Sequence, residues 1–245
     1  MCKLLEKIVN RRLRWYLEVK KLLNPIQYGF RYYHSVIDVL TNLETNICDA
    51  FLNEEYIAAV CLDIEKAFDT ISRTKIINSL IELKGNMLSF ITNFLSNRSI
   101  QVRANGSLSH PIIIKNEVPQ GSVMSIILFL IGIDDIITNR NQPPIKTQLF
   151  ADDITITCGQ NISFINEHLQ TANTTFTNIN TLQNWSKTTG LKFFPPKTPK
   201  KPKAFTRETK LNPPPKLYLS NLEIKFTDTI KILDLIFDKK LSWAP

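Results

Sequence analysis

Cysteine and histidine are scarce in this chain of 245 residues. It has four cysteines, at positions 2, 48, 61 and 158, and three histidines. No pair of cysteines has the spacing of a metal-ligand motif, which argues against a structural zinc site. Cys61 and Cys158 fall in apolar strand patterns and are predicted to be small core residues. This cysteine usage fits a reducing intracellular compartment.

Long apolar runs are also missing. The longest unbroken one, Ile126 to Ile133, is far shorter than the roughly 20 residues that a membrane-spanning helix needs. Lys3, Glu6 and Lys7 place charge in the first turns, so the N-terminus does not read as a secretory signal peptide. We therefore expect no membrane partner and an intracellular protein, nuclear or cytoplasmic, that is not secreted.

Positive charge is in excess. The formal net charge is +8 and the sequence pI is about 9.3. A basic excess of this size suggests a polyanionic partner such as nucleic acid. A solvated basic surface without a partner is the alternative interpretation.

Acidic side chains interrupt two otherwise apolar strand patterns. Asp63 ends the apolar run over residues 56–62, and Asp152 and Asp153 lie side by side within residues 149–156. Burying a carboxylate in an apolar sheet is costly unless a cation or another partner compensates its charge. Carboxylates on neighbouring strands suit Mg²⁺, which prefers oxygen ligands and shares them with substrate phosphates. The pattern therefore indicates phosphoryl-transfer chemistry.

The periodicity of apolar residues predicts a mixture of helices and strands. Helices are predicted over residues 3–23, 35–52, 74–83, 87–96, 122–137 and 161–189. Strands are predicted over residues 56–64, around the Asp152-Asp153 turn and over residues 230–237. Hairpins are predicted over residues 99–114, turning at Asn105-Gly106, and over residues 217–226. This pattern favours an α+β fold with a largely antiparallel sheet covered by helices.

A proline-rich basic segment follows. Residues 195–216 contain seven of the thirteen prolines, and seven Lys or Arg against one Glu. We expect no regular structure there. The segment either follows nucleic-acid phosphates or is a solvated linker.

Four sequence blocks occur in a fixed order. They are Asp63-Ile64-Glu65-Lys66-Ala67-Phe68-Asp69, Val118-Pro119-Gln120-Gly121-Ser122, Phe150-Ala151-Asp152-Asp153, and Trp185 with Gly190-Leu191-Lys192-Phe193 and Lys197-Thr198. The ordered set resembles the reverse transcriptases of non-LTR (LINE-type) retrotransposons, especially jockey-like elements. Residues 27–31 resemble the fingers block of that family, and residues 239–243 resemble the start of its thumb. The similarity covers nearly the whole chain.

The resemblance implies a right-hand polymerase fold, with an antiparallel palm sheet packed on helices, partial fingers and only the root of a thumb. Its segments would be about 1–55 and 73–115 for the fingers-like part, about 56–72 and 116–215 for the palm, and 216–245 for the palm–thumb junction. The chain is expected to be truncated at both ends.

The resemblance also implies a catalytic metal site. Two Mg²⁺ ions, with Mn²⁺ as a substitute, would be held mainly by Asp63 and Asp152, with Asp153 adjacent and the backbone carbonyl of Ile64 as a further ligand. Lys197 would act on the pyrophosphate leaving group as a cation or proton donor. The alternative for the three aspartates is that they are ordinary turn carboxylates.

Four residues are implied to bind the incoming nucleotide. Phe68 would lie under the sugar and exclude a 2′-hydroxyl, which favours dNTPs; the alternative is a core residue. Gln120 and Gly121 would touch the nascent base pair, with Ser122 capping the helix that follows. Arg31 would clamp the triphosphate with its planar guanidinium.

These residues together predict an RNA-directed DNA polymerase that uses an RNA template, a DNA primer and dNTPs. A truncated, inactive remnant that binds nucleic acid is the main alternative. It is motivated in part by Asp234, which stands where the family usually has a glycine and is disfavoured if that position needs a positive φ. An RNA-copying RNA polymerase is disfavoured by Phe68. The oligomeric state is not predicted.

Overall fold

The computed structural model describes residues 2–53, 55–114, 116–136, 145–161, 177–193, 203–206, 217–219 and 222–238. By proximity of Cα atoms the chain divides into two compact units. The first unit comprises Met1–Asn24, Lys66–Asp135 and Thr189–Leu191, and the second comprises Pro25–Glu65, Ile136–Thr188 and Lys192–Pro245. The expected fingers, palm and thumb boundaries stay a prediction.

The described helices and strands follow the expected mixed pattern. The helices are α1 (Cys2–Val19), α2 (Val36–Leu52), α3 (Ala67–Thr70), α4 (Arg73–Ser79), α5 (Gly85–Leu95), α6 (Ser125–Ile133) and α7 (Thr177–Thr189), with a 3₁₀ turn at Ile81–Leu83. The strands are β1 (Glu55–Asp63), β2 (Ser99–Ile100), β3 (Arg103–Ala104), β4 (Ser107–Leu108), β5 (Ile112–Ile113), β6 (Ile145–Phe150), β7 (Asp153–Asn161), β8 (Lys203–Thr206), β9 (Leu217–Leu219), β10 (Leu222–Thr227), β11 (Thr229–Ile232) and β12 (Leu235–Asp238).

A six-stranded sheet organises the described part of the second unit. Its strand order is β6-β7-β1-β8-β10-β9. All neighbouring pairs are antiparallel except β8 with β10, which is parallel. The central strand β1 has buried apolar residues on both faces. Ile57 and Ala59 pack against α2 and the β11–β12 hairpin, and Val60 and Leu62 of the alternate row are buried as well.

Helix α2 covers one face of this sheet. Its start is specified locally, because Ser35 and Asp38 form a reciprocal capping box: Ser35 N donates to Asp38 Oδ2 at 2.6 Å and Asp38 N donates to Ser35 Oγ at 3.3 Å. Its buried face packs with β1 and the β11–β12 hairpin in a core cluster formed by Leu43, Ile47, Ala50, Ile57, Ala59, Ile230, Ile232 and Phe237.

Two strand predictions are corrected by the structure. Lys203–Thr206 forms β8 between β1 and β10, so the expectation of no regular structure is wrong for these four residues. The free edge of β1 supplies unpaired backbone groups, and such groups favour another strand over solvated coil. The rest of the proline-rich segment, 195–202 and 207–216, lies outside the described residues.

The predicted strand over residues 230–237 is a hairpin. Ile232 pairs with Leu235, and the turn residues Leu233 and Asp234 have φ of 47° and 70°. A tight turn normally carries Asn or Gly at such positions. Because Leu233 and Asp234 are neither Asn nor Gly, the sequence does not mark the turn. The apolar residues on both sides of it therefore read as one continuous strand.

Three helix boundaries also differ from expectation. Helix α6 begins at Ser125 after Met124, so Ser122 is not its N-cap residue. The predicted helix over 74–83 divides into α4 and the 3₁₀ turn. The predicted helix over 161–189 is α7 in its described part, and Asn161 belongs to β7; residues 162–176 lie outside the described residues.

In the first unit, α6 is almost entirely buried and packs closely on the segment after α3. A Cβ on Gly132 would approach Ile71 Cδ1 to 2.3 Å, so any larger residue would require the buried Ile71 side chain to shift. The Asn105-Gly106 turn joins β3 and β4 as predicted, and β2 pairs with β5. Among the described helices, none combines the length and apolar character needed to cross a bilayer.

Candidate active site

Strand register brings the acidic residues of the first and third blocks together. Asp63, the last residue of β1, is the direct partner of Asp153, the first residue of β7. Opposed Cα atoms in an antiparallel pair lie about 4.5–5.5 Å apart, and opposed side chains share a face of the sheet. The side chains of Asp63 and Asp152 are partly exposed and that of Asp153 is exposed. Three aspartates therefore lie at the same end of two paired strands.

Asp152 lies in the two-residue turn that joins β6 to β7. Phe150 pairs with Asp153 across this turn. The first turn residue, Ala151, has a φ of 57°. Left-handed backbone costs an L-residue about 1–2 kcal/mol. Such conformations persist where surrounding structure holds them, commonly at functional sites.

The Gln27 side chain holds this turn from outside the hairpin. Gln27 Oε1 accepts from Ala151 N at 2.9 Å and from Gly29 N at 2.8 Å, and Gln27 Nε2 donates to Ala151 O at 3.1 Å. Gln27 is 3% exposed. The prediction from sequence treated residues 27–31 only as a fingers block and missed this role.

The donor set matches what a hard divalent cation binds. Carboxylate oxygens are the protein ligands that Mg²⁺ prefers. Among the residues that the structure describes, however, no three His, Cys, Asp or Glu side chains converge closely enough to hold a metal ion. The aspartates are neighbours by backbone register, and their role as metal ligands stays a prediction.

Ile64 joins the first block to the fourth. It forms an isolated antiparallel bridge with Phe193, and the adjacent Glu65 N donates to Lys192 O at 2.7 Å. Phe193 in turn packs against Trp185, with ring centroids 6.3 Å apart. Lys192 and Phe193 of the fourth block thus lie directly beside the strand end that carries Asp63. The metal-ligand role of the Ile64 carbonyl stays a prediction.

Cys61, two residues before Asp63, is a packing residue. It is partly buried, and its Sγ lies 3.9 Å from Thr155 Oγ1 on the paired strand. Burial raises the pKa of the Cys61 thiol to about 12, and the nearby Asp153 carboxylate adds to the shift. The side chain is therefore a neutral thiol at physiological pH, as its predicted core position implies.

The second-block loop and Phe68 lie together in the first unit. Val118 N donates to Phe68 O at 3.0 Å, and the partly buried Phe68 ring stacks on buried Phe129 with centroids 4.4 Å apart. Gln120 and Gly121 are exposed, and Gly121 has a φ of 83°. A non-glycine residue would be strained at Gly121, which accounts for the glycine in this block.

Two anchors fix this loop, the partly exposed Glu6 and the buried Arg73. Glu6 Oε2 of α1 accepts from Ser122 Oγ at 2.6 Å and from Val123 N at 2.9 Å. Arg73 is 8% exposed and donates to Ile114 O at 2.8 Å and Glu117 O at 3.1 Å. Burial lowers the pKa of the Arg73 guanidinium, and the Glu117 carboxylate 4.0 Å away opposes that shift.

Of the two remaining predicted residues, Arg31 and Lys197, the structure describes Arg31. Arg31 is partly buried, and its Nη1 donates to Gln27 O at 3.2 Å, so the guanidinium is tied to the backbone of the segment that holds the Ala151 turn. Its triphosphate role stays a prediction. Lys197 lies outside the described residues.

The structure therefore groups the predicted residues into two sets. Asp63, Ile64, Asp152 and Asp153 are together in the second unit, and Phe68, Gln120 and Gly121 are together in the first. Sequence reasoning missed Gln27 and Gly29, for which a glycine within an aromatic block was the available signal. It also missed Glu6 and Arg73, whose partners are 116 and 44 residues away and leave no local signal.

Known proteins resemble the chain in both sequence and structure. A probable RNA-directed DNA polymerase from transposon BS of Drosophila melanogaster is 28% identical over 256 residues, covering 100% of this chain and 27% of the relative. An RNA-directed DNA polymerase from mobile element jockey of Drosophila funebris is 28% identical over 160 residues, covering 63% of this chain and 18% of the relative. The chain thus spans about a quarter or less of the length of these relatives.

Apo telomerase from Candida tropicalis, truncated from its C-terminal domain, superposes with a TM-score of 0.60 at 11% identity, covering 96% of this chain and 42% of that one. This likeness confirms the predicted α+β right-hand polymerase fold. The resemblance to non-LTR retrotransposon polymerases is likewise confirmed by the relatives above. Because the sequence also matches the family over residues 1–226, with the aspartate register in place, the chain belongs to the reverse transcriptase (RNA-dependent DNA polymerase) family.

Proposed function

We propose that the chain is the polymerase core of an RNA-directed DNA polymerase from a non-LTR mobile element. It would extend a DNA primer with dNTPs on an RNA template. The observation that carries this proposal is the pairing of Asp63 with Asp153 across β1 and β7, with Asp152 in the adjoining turn. Membership of the reverse transcriptase family gives that arrangement its chemical meaning.

The proposed reaction is an in-line displacement. The 3′-hydroxyl oxygen of the primer attacks the α-phosphorus of the dNTP, and the bond to pyrophosphate breaks. Asp63, Asp152, Asp153 and the Ile64 carbonyl would hold two Mg²⁺ ions, or Mn²⁺ in their place. Divalent ions bound there neutralise phosphate charge and favour ionisation of the attacking hydroxyl.

Other residues of the chain would bind and orient the nucleotide. Gln120 and Gly121 would contact the nascent base pair from their exposed loop, and Arg31 would clamp the triphosphate. Lys197 would donate a proton to, or neutralise, the departing pyrophosphate.

Phe68 supports the choice of dNTPs. Its ring is braced by the stack on Phe129, so it cannot rotate freely away from a neighbouring sugar. A rigid ring beside the sugar excludes a 2′-hydroxyl by steric conflict. A core residue would pack in the same way. Comparing dNTP with rNTP use by the Phe68→Val variant distinguishes a ring that contacts the sugar from a core residue.

The net charge of +8 supports nucleic acid as the macromolecular partner. We propose an intracellular site of action, nuclear or cytoplasmic, where both RNA templates and dNTPs are present.

A second candidate function is binding of nucleic acid without catalysis. The positive φ of Asp234, at a position where glycine is usual in the family, favours it. The strain is limited, however, because left-handed backbone costs about 1–2 kcal/mol and the β11–β12 hairpin still forms around it.

Primer extension by the purified chain tests the proposal. The chain is incubated with primed RNA, dNTPs and Mg²⁺, and products are resolved by length. Asp152→Asn should lower the extension rate by about 10³-fold or more, the scale of a lost several-kcal/mol stabilisation of transition-state charge. Asp49→Asn, at an exposed carboxylate on α2, is the matched control and should extend normally.

Two outcomes would overturn the proposal. If the chain binds primed RNA, measured by fluorescence anisotropy, but never extends it, binding without catalysis is the better description. If it extends with rNTPs as readily as with dNTPs, the role of Phe68 is wrong. Phe68→Val should raise rNTP use about 10-fold or more, since it removes the ring that occupies the space of a 2′-hydroxyl.

A further inference from the structure

One side chain holds both backbone polar groups of Ala151. Gln27 Oε1 accepts from Ala151 N at 2.9 Å while Gln27 Nε2 donates to Ala151 O at 3.1 Å. The same Oε1 also accepts from Gly29 N at 2.8 Å, which fixes the amide plane of Gln27. We call Gln27, Gly29 and these three hydrogen bonds the Gln27 clamp.

The segment that carries the clamp is itself fixed along β6. Tyr28 N donates to Leu149 O at 2.8 Å and Leu149 N donates to Ile26 O at 2.9 Å, which makes Gln27 and Leu149 a parallel bridge pair. Strand β6 is an edge strand of the described sheet, so residues 26–28 cover its outer side. Gln27 is therefore held in a segment, residues 26–28, that is hydrogen-bonded along β6 next to the turn.

The Gly29 backbone lies in direct contact with the backbone of the Ala151-Asp152 turn. A Cβ built on Gly29 would lie 2.2 Å from Ala151 N and 3.0 Å from Phe150 C. No side chain fits between the Gly29 backbone and the turn. The position of Ala151 is thus set by hydrogen bonds on one side and by direct backbone contact on the other.

Ala151 in turn determines where the next two residues point. It is the first of the two turn residues, with a φ of 57°, and Asp152 and Asp153 follow it directly. A change in the Ala151 dihedral angles would rotate the Asp152 carboxylate and alter the start of β7, where Asp153 faces Asp63.

We propose that Gln27 is a positioning residue for the catalytic carboxylates. Its amide fixes Ala151 and thereby the backbone positions of Asp152 and Asp153 beside Asp63, where the proposed divalent cations would bind. The inference rests on the proposed function. It is a supporting contact of the kind that orients ligand side chains and typically changes metal affinity by about 10- to 100-fold when removed.

Gln27→Met and Gln148→Met form a matched pair for the test. Both residues are buried glutamines of the second unit, 3% and 8% exposed. Gln148 Oε1 has no hydrogen-bond partner among the described residues, whereas Gln27 makes the three bonds of the clamp. The substitution keeps side-chain length in both, and only at Gln27 does it release Ala151.

The primary readout is Mn²⁺ affinity, measured by electron paramagnetic resonance of the free ion. We expect the Kd of Gln27→Met to rise about 10- to 100-fold and that of Gln148→Met to stay within about 2-fold of the unsubstituted chain. In primer extension, kcat should fall with KM for primer–template unchanged, and raised Mg²⁺ should restore part of the rate. Amide hydrogen exchange at Ala151 should become faster in Gln27→Met alone.

Gln27→Asn keeps the amide but shortens the side chain by one methylene, and it serves if Gln27→Met does not fold. We expect an intermediate Mn²⁺ Kd, because a shorter amide cannot reach Gly29 N and both Ala151 groups at once. The inference is overturned if a folded Gln27 variant binds Mn²⁺ and turns over like the unsubstituted chain. If the unsubstituted chain does not extend the primer, the proposed function is rejected. If the unsubstituted chain extends it and a Gln27 variant keeps the same Mn²⁺ Kd and extension rate, only the role of the Gln27 clamp is rejected.

Discussion

Two tight hairpin turns of the second unit differ in how they are held. The Ala151-Asp152 turn has one positive φ, at Ala151, and three hydrogen bonds of the Gln27 clamp around it. The Leu233-Asp234 turn has two positive φ values, and an ion pair joins Lys231 Nζ to Asp234 Oδ1 at 2.8 Å. That pair is exposed, with side-chain exposures of 59% and 94%.

The difference separates two origins of backbone strain. At Ala151 the strained conformation is stabilised by residues distant in sequence, which is how functional turns are commonly maintained. At Asp234 the strained conformation lies within a short local hairpin and beside a surface ion pair, an interaction of the kind that contributes little. Substitutions at the first turn should therefore be costly, whereas glycine at the second should be beneficial.

The largest effect is expected from Gly29→Ala. Its Cβ would meet Ala151 N at 2.2 Å, a backbone atom that cannot rotate away, so we expect a loss of about 3 kcal/mol in the free energy of unfolding. Urea denaturation measures it. Gly106→Ala is the control for glycine replacement without a clash, since nothing lies within 4 Å of its Cβ and only its φ of 80° is unfavourable. Its cost should be about 1 kcal/mol, and an equal or larger loss there would contradict the close approach at Gly29.

Gln27→Met should come next, with a loss of about 2 kcal/mol. It removes the three hydrogen bonds to Gly29 N, Ala151 N and Ala151 O, and a typical hydrogen bond contributes about 0.5–1.5 kcal/mol net. Gln148→Met should be neutral or slightly stabilising, because Gln148 Oε1 is already unpartnered among the described residues. Equal losses at the two positions in thermal unfolding would show that the clamp adds nothing beyond ordinary burial.

Asp234→Gly should stabilise the protein by about 1 kcal/mol, because glycine adopts a φ of 70° without steric cost. For a chain of this size that corresponds to a rise in Tm of about 2–4 °C. Asp228→Gly is the matched control. Asp228 directly precedes β11 of the same hairpin and does not have a positive φ. It should be mildly destabilising through added unfolded-state entropy, so a rise in Tm for both variants would point away from turn strain.

The smallest effect is expected from Lys231→Met. The ion pair with Asp234 is solvent-exposed, so its removal should change the free energy of unfolding by less than about 0.5 kcal/mol. A differential scanning calorimetry comparison at low and high salt measures it. A salt-sensitive loss above about 1 kcal/mol would mean that this pair does hold the Leu233-Asp234 turn.

Local signals in the sequence were enough for much of this architecture. The apolar run ending in Asp63 and the apolar strand pattern around Asp152-Asp153 predicted β1, β6 and β7, and Asn105-Gly106 predicted its hairpin. Asp63 and Asp153 lie at strand ends, where register alone brings them together, whereas the catalytic role of the aspartates stays a prediction.

The features that escaped prediction depend on distant partners. Strand β8 forms because β1 offers a free edge, although its own segment is basic and proline-rich. The Leu233-Asp234 turn lacks the residues that normally mark one. Gln27 looks like a polar surface residue until its partner, 124 residues away, is known.

That separation has a consequence for biosynthesis. A ribosome must complete the chain past Ala151 before the amide at position 27 can meet its partner, and loop closure over such a distance is slow compared with local pairing. Helix α2 and its capping box can form early, from contacts within a few residues. We therefore expect the aspartates to reach their arrangement late in folding, so a nascent chain would have helices long before these residues were in place.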